Sequence, residues 1–73
     1  MPVGSDSKNI NETVYIDYPL EEVLFRRENS TGRIYKKFYG KQESGKVVHY
    51  SNRLYSDAIR FGEEVSQEYY DSK

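Results

Sequence analysis

The sequence predicts an α+β fold, a small antiparallel meander of three or four strands with one C-terminal amphipathic helix packed on one face. Three observations predict it. β-branched and aromatic residues alternate through the first half of the chain. Clusters of turn formers divide that half into runs of five to seven residues, joined by connections too short for parallel crossovers. From Leu54 onward the apolar spacing changes from two to three and four.

Each element follows from its own residues. Residues 1–11 mix Pro, Gly, Ser, Asp and Asn with two isolated aliphatics, a composition that reads as a flexible arm. Residues 13–18 form a first strand with Val14, Ile16 and Tyr18 on one side, ended by Pro19, whose ring removes a ladder donor. Residues 22–28 form a second. Asn29-Ser30-Thr31-Gly32 is a turn in which Gly32 supplies a positive φ. Residues 33–39 form a third strand. A lysine interrupts each of its faces, and a bulge at Lys36-Lys37 would bring Tyr35 and Phe38 to one side. Gly40 to Gly45 is a second turn and residues 46–50 a fourth strand. The stripe Leu54, Ala58, Phe61, Val65, Tyr69 then predicts one helix over residues 54–70, with Ser56 as N-cap. Its buried side is expected to be Leu54, Ala58, Phe61, Gly62 and Val65, Gly62 allowing close approach to the sheet. The organisation is thus an arm over residues 1–11, one domain over 12–70 and a tail over 71–73.

Composition narrows the chemistry. The chain has no cysteine, so disulfides, thiolate metal sites and cysteine nucleophiles are absent. A single histidine leaves too few ligands for an ordinary zinc site. No apolar run of about 18 residues exists to span a membrane, and residues 1–11 carry no apolar signal core. The expectation is a cytoplasmic protein without a cofactor.

The net charge of −1 conceals an asymmetry. Residues 1–25 sum to −4, residues 26–53 to +6 and residues 54–73 to −3. A basic middle lies between two acidic ends.

Two apparent catalytic signals dissolve on inspection. Gly40 to Lys46 matches the spacing G-x-x-x-x-G-K of a phosphate-binding loop, but Val47 stands where Ser or Thr must hold magnesium. The flanks also read as strands, so a hairpin turn accounts for the glycines. His49 and Ser51 share one short segment, and that proximity alone does not converge a nucleophile, a base and an orienting acid. The pairs Glu21-Glu22 and Glu63-Glu64 diverge from single backbone sites and read as solvated surface. No enzyme is predicted.

What remains is a basic centre interleaved with rings. Arg26, Arg27, Arg33, Tyr35, Lys36, Lys37, Tyr39, Lys46, His49 and Tyr50 make up the candidate binding residues. Eight tyrosines and three phenylalanines are many for 73 residues. Large amphipathic rings fill small cores, and Tyr and Arg are also enriched at binding hot spots. In topology the arrangement resembles the three-strand-plus-helix DNA-binding domains of phage integrases and plant AP2-type factors. Its helix entry, Leu54-Tyr55-Ser56-Asp57-Ala58, is shorter than theirs by two positions.

Two partner classes follow. The first is a protein, on which the chain docks as a small regulatory or inhibitory module through a basic, aromatic sheet face. The alternative is nucleic acid, with the same cations on phosphates and rings on bases. The acidic ends weigh against a polyanion, and protein stands first. Self-association into a homodimer stays open, because edge strands invite pairing.

Overall fold

The computed structural model describes residues 12–73. The arm expected over residues 1–11 lies outside them. Strands β1 (Thr13–Tyr18), β2 (Val23–Glu28) and β3 (Arg33–Phe38) are followed by helix α1 (Arg53–Phe61), strand β4 (Glu63–Val65) and helix α2 (Gln67–Ser72). The four strands form one antiparallel sheet in the order β3-β2-β1-β4. The α+β class and the first three strands are those the sequence predicts.

The turns between them have local causes. Pro19 opens a single 3-10 turn, Pro19–Glu21, and Glu22 takes the left-handed conformation at φ 54° before β2 begins. Gly32 closes the β2–β3 connection at φ 77°, and its amide donates to the Glu28 carbonyl at 2.7 Å.

Val23, Leu24 and Phe25 are consecutive and all buried. Neighbours on a strand point to opposite faces, so both faces of this sheet must be covered. They are covered by different helices. The register places Val14, Ile16, Tyr18, Val23, Phe25, Arg27, Ile34, Lys36 and Phe38 on one face. There the core forms from Ile16, Tyr18, Val23, Phe25 and Ile34 against Tyr55 and Ala58 of α1, with Val14, Val48 and Leu54 at its margin. The Phe25 and Tyr55 rings meet edge-on at 5.3 Å. The other face carries Tyr15, Asp17, Leu24, Arg26, Tyr35 and Lys37, and α2 lies on it, with the Tyr15 and Tyr70 rings 5.1 Å apart. The register runs unbroken through Lys36-Lys37, so no bulge re-aims Tyr35 or Phe38.

Four expectations are corrected. Residues 46–50 are not a strand: Val48 makes one bridge to Ile34, its amide donating to that carbonyl at 2.7 Å. The Ser44 amide likewise donates to the Lys36 carbonyl at 2.8 Å, so the segment meets the edge of β3 at separate points and not in a continuous ladder, and Val48 packs against the core. The fourth strand is β4, inside the region predicted as helix. The single helix over 54–70 is two helices divided at Gly62, which is extended (φ −87°, ψ −165°) and donates to the Ala58 carbonyl at 2.8 Å. A β-carbon at Gly62 would overlap the Asp17 and Ala58 carbonyl oxygens. The close approach to the sheet is therefore real, but it ends a helix and does not run through one. Phe61, expected inside, is 67 % exposed. The N-cap of α1 is Asn52 and not Ser56, which lies inside the helix: Asn52 Oδ1 accepts from the Tyr55 amide at 3.0 Å, and Ser66 caps α2 in the same way.

Candidate functional site

The basic centre divides between the two faces, and the faces use their cations differently. On the α2 face the polar side chains form a network. Arg26 donates to both carboxylate oxygens of Glu43, at 2.8 and 2.9 Å, and to Glu28 at 2.7 Å. Its guanidinium lies 4.4 Å above the Tyr35 ring. Hydrogen bonding from Arg26, assisted by the Tyr70 hydroxyl, holds the Glu43 carboxyl below the usual carboxylate range against the opposing effect of burial. Burial, then the hydrogen bond to Glu43 at 2.6 Å, pushes the Tyr70 phenol up, so it stays a neutral donor.

The remaining groups on this side bind the C-terminal helix. Lys37 is buried and donates to the Tyr70 carbonyl at 2.5 Å. Asp17, also buried, accepts from the Tyr39 hydroxyl at 2.5 Å and the Tyr69 hydroxyl at 2.7 Å. The Lys73 ammonium lies over both of those rings, and the Gly40 amide donates to the Lys73 carbonyl at 2.6 Å. The open groove of about 600 Å³ between residues 40–43 and α2 is lined mainly by polar groups of this network and its margin. Arg33, on the same face, is exposed beside the β2–β3 turn.

The α1 face is arranged differently. Here Arg27, Tyr55, Ser56, Ile59, Arg60 and Tyr50 line a groove of about 520 Å³ between the sheet, α1 and the segment that precedes it. Arg27 is positioned from below: its Nε donates to Asn29 at 3.0 Å and its Nη1 to the Tyr55 hydroxyl at 3.2 Å. Tyr50 is 75 % exposed and Ile59 47 % exposed, which is unusual for side chains of their size standing together. Tyr50 is held by stacking on His49, with ring centroids 4.5 Å apart. His49 accepts at Nδ1 from the Ser51 amide at 3.1 Å. Among the described residues no acidic side chain lines the groove. Lys36 is on this face with its ammonium over the Phe38 ring, and Lys46 is exposed in the same preceding segment.

The structure thus brings Arg27, Lys36, His49 and Tyr50 to the α1 side and Arg26, Arg33, Tyr35, Lys37 and Tyr39 to the α2 side, with Lys46 exposed in the segment that passes between them. Sequence reasoning missed Ser56, Ile59 and Arg60. The available signal was Ile59, an isoleucine lying off the stripe assigned to the helix core. A smaller apolar set, Leu20, Phe38 and Phe61, is exposed at the end of the sheet where Tyr18, Val23 and Phe38 pair in a row. Among the described residues no three His, Asp or Glu side chains converge as a metal site, and no helix is long and apolar enough to cross a membrane.

Comparison with known proteins gives a consistent result. Residues 1–72 match the model of a family described as Tis1 immunity protein. Over 59 residues the chain is 44 % identical to the immune protein Tis1 of Pseudomonas aeruginosa strain UCBPP-PA14, spanning 81 % of this chain and 77 % of that one. It also superposes, with a TM-score of 0.81 and 43 % identity, on a chain in the crystal structure of the complex between the type VI effector Tas1 and its immunity protein. That match covers 84 % of this chain and 80 % of the other.

Proposed function

The chain belongs to the Tis1 immunity protein family, and we propose that it is an inhibitory module that neutralises a type VI effector by docking on it. The observation that carries this reading is the likeness, at 43 % identity over most of both chains, to a chain solved in complex with the effector Tas1. Inhibition by docking requires no reaction of the chain's own.

The surface best suited to docking is the α1 side. It offers Arg27 and Tyr50 with the exposed Ile59 beside them, His49 stacked on Tyr50, and Lys36 on the same face of the sheet. Exposed rings, arginines and an aliphatic in one concave region fit the composition of protein-binding hot spots. Nucleic acid has less to draw on. Arg26 and Lys37 are engaged inside the domain, while Arg27 and Lys36 lie on the face opposite Arg33, so the basic centre does not act as one phosphate-binding face.

The test is direct association. Titrating the chain into Tas1, or into the Tas1-type effector of its own genome, gives a stable stoichiometric complex and abolishes the effector's toxicity on co-expression. Absence of a complex with either effector at about 10 μM, well above the dissociation constants of ordinary specific complexes, overturns the reading.

A further inference from the structure

We infer that the groove between α1 and the segment leading into it is the anchor site of the docking surface, and that it takes an apolar side chain flanked by a carboxylate from the effector. The inference rests on the inhibitory reading and specifies what that reading leaves open. Three features of the groove determine the occupant's chemistry.

The first is its wall. Ile59 and Tyr50 turn apolar surface outward where the helix and the preceding segment diverge, with the Tyr55 ring buried at the base. Such a wall gains from excluding water only when another apolar group fills the space. The second is its charge. Arg27 and Arg60 line the groove, and among the described residues no carboxylate does. Elsewhere in the domain Arg26 is neutralised by Glu28 and Glu43, whereas among the described residues the side-chain hydrogen bonds of Arg27 go to the neutral Asn29 and Tyr55. A carboxylate arriving here meets two guanidinium groups and no repelling neighbour in the lining, the complementarity that selects one partner chemistry over another. The third is rigidity. Arg27 is fixed by hydrogen bonds to Asn29 and Tyr55, Tyr50 is stacked on His49, and Ile59 belongs to a capped helix, so little ordering remains to be done on binding.

The groove on the α2 side lacks these features. Lys37, Glu43 and Tyr70, which line it, already satisfy one another or the backbone of α2, and its lining carries acids as well as bases.

The experiment measures effector affinity by titration calorimetry for wild type and five single variants, with each variant's fold checked by circular dichroism. Ile59→Glu and Tyr50→Ala weaken binding roughly 30-fold or more, the range of a hot-spot truncation. Arg60→Glu weakens it more than Arg60→Gln. Lys41→Glu, on the α2 side, stays within about 3-fold of wild type, as expected of a residue outside the interface. The placement is overturned if the Ile59 and Tyr50 variants bind as wild type does while the Lys41 variant fails; the inhibitory reading then survives with a different surface. Equal or tighter binding by Arg60→Glu overturns the carboxylate. Loss of self-association by Ile59→Glu with effector binding unchanged makes the groove a contact between copies of this chain and overturns the proposal. Failure of the wild type itself to bind removes the inhibitory reading together with its anchor site.

Discussion

The ammonium of Lys37 donates to the backbone carbonyl of Tyr70 at 2.5 Å and ties the third strand to the C-terminal helix. The two residues are 33 apart in sequence, and no local pattern announces their meeting. The bond explains how a lysine comes to be buried, since its ammonium is directed at the last carbonyls of α2.

Lys37→Met removes this bond while keeping the aliphatic stem. It should destabilise the domain by about 1.5–3 kcal/mol, the range for hydrogen bonds to charged groups. Lys36→Met, on the opposite face and half-buried, should change stability by no more than about 1 kcal/mol. Urea denaturation of the two variants side by side checks the difference. Equal effects would mean that Lys37 does not anchor α2.

Gly62→Ala tests the reason the helix stops. The φ of −87° suits any residue, so the cost comes from steric overlap with the Asp17 and Ala58 carbonyls. Overpacking of this kind costs about 1–3 kcal/mol. In a domain of this size that corresponds to a fall in melting temperature of roughly 4–8 °C per kcal/mol. An unchanged melting temperature would show that β4 can move away from β1 freely.

Phe61 and Phe25 should separate sharply. Phe25 is 1 % exposed in the centre of the core, and Phe25→Ala should cost about 3–5 kcal/mol. Phe61→Ala removes an outward ring and should stay within about 0.5 kcal/mol of wild type. Thermal melts of both variants measure this. A strongly destabilised Phe61→Ala would restore the continuous helix that the apolar stripe suggests.

That stripe shows where sequence reading succeeds and where it ends. The first three strands were legible because alternation, Pro19 and Gly32 are local signals that burial reinforces. The stripe from Leu54 to Tyr69 was misleading because a short strand and two short helices happened to keep the helical spacing. What breaks it is the overlap that any side chain at Gly62 would make with Asp17, a contact across 45 residues. The candidate site was legible in part. Tyr50 and Arg27 stood out by type, but their meeting with Ile59 and Arg60 depends on which face α1 covers. The division of the basic centre between faces follows from the unbroken register at Lys36-Lys37, which the residues alone left open.

The Arg26–Glu43 pair makes stability depend on pH in a defined window. Because the folded Glu43 carboxyl titrates below its ordinary value of 4.5, its contribution is present above that value and is lost as pH falls through the lowered one. Glu28, lowered chiefly by its own hydrogen bond from Arg26, acts in the same direction. Wild type should therefore exceed Glu43→Gln in melting temperature near neutral pH, and the gap should narrow below about pH 4.5. A gap that stays constant down to about pH 3 would mean that the pair does not couple folding to protonation of Glu43.

Hydrogen–deuterium exchange of the chain, alone and saturated with its Tas1-type effector, tests most directly that docking uses the α1 side. The groove and its anchoring residues predict new protection in residues 46–61, covering Tyr50, Ile59 and Arg60, with residues 67–73 of α2 unchanged. Protection confined to residues 37–43 and 67–73, with the α1 segment exchanging as in the free chain, would contradict it.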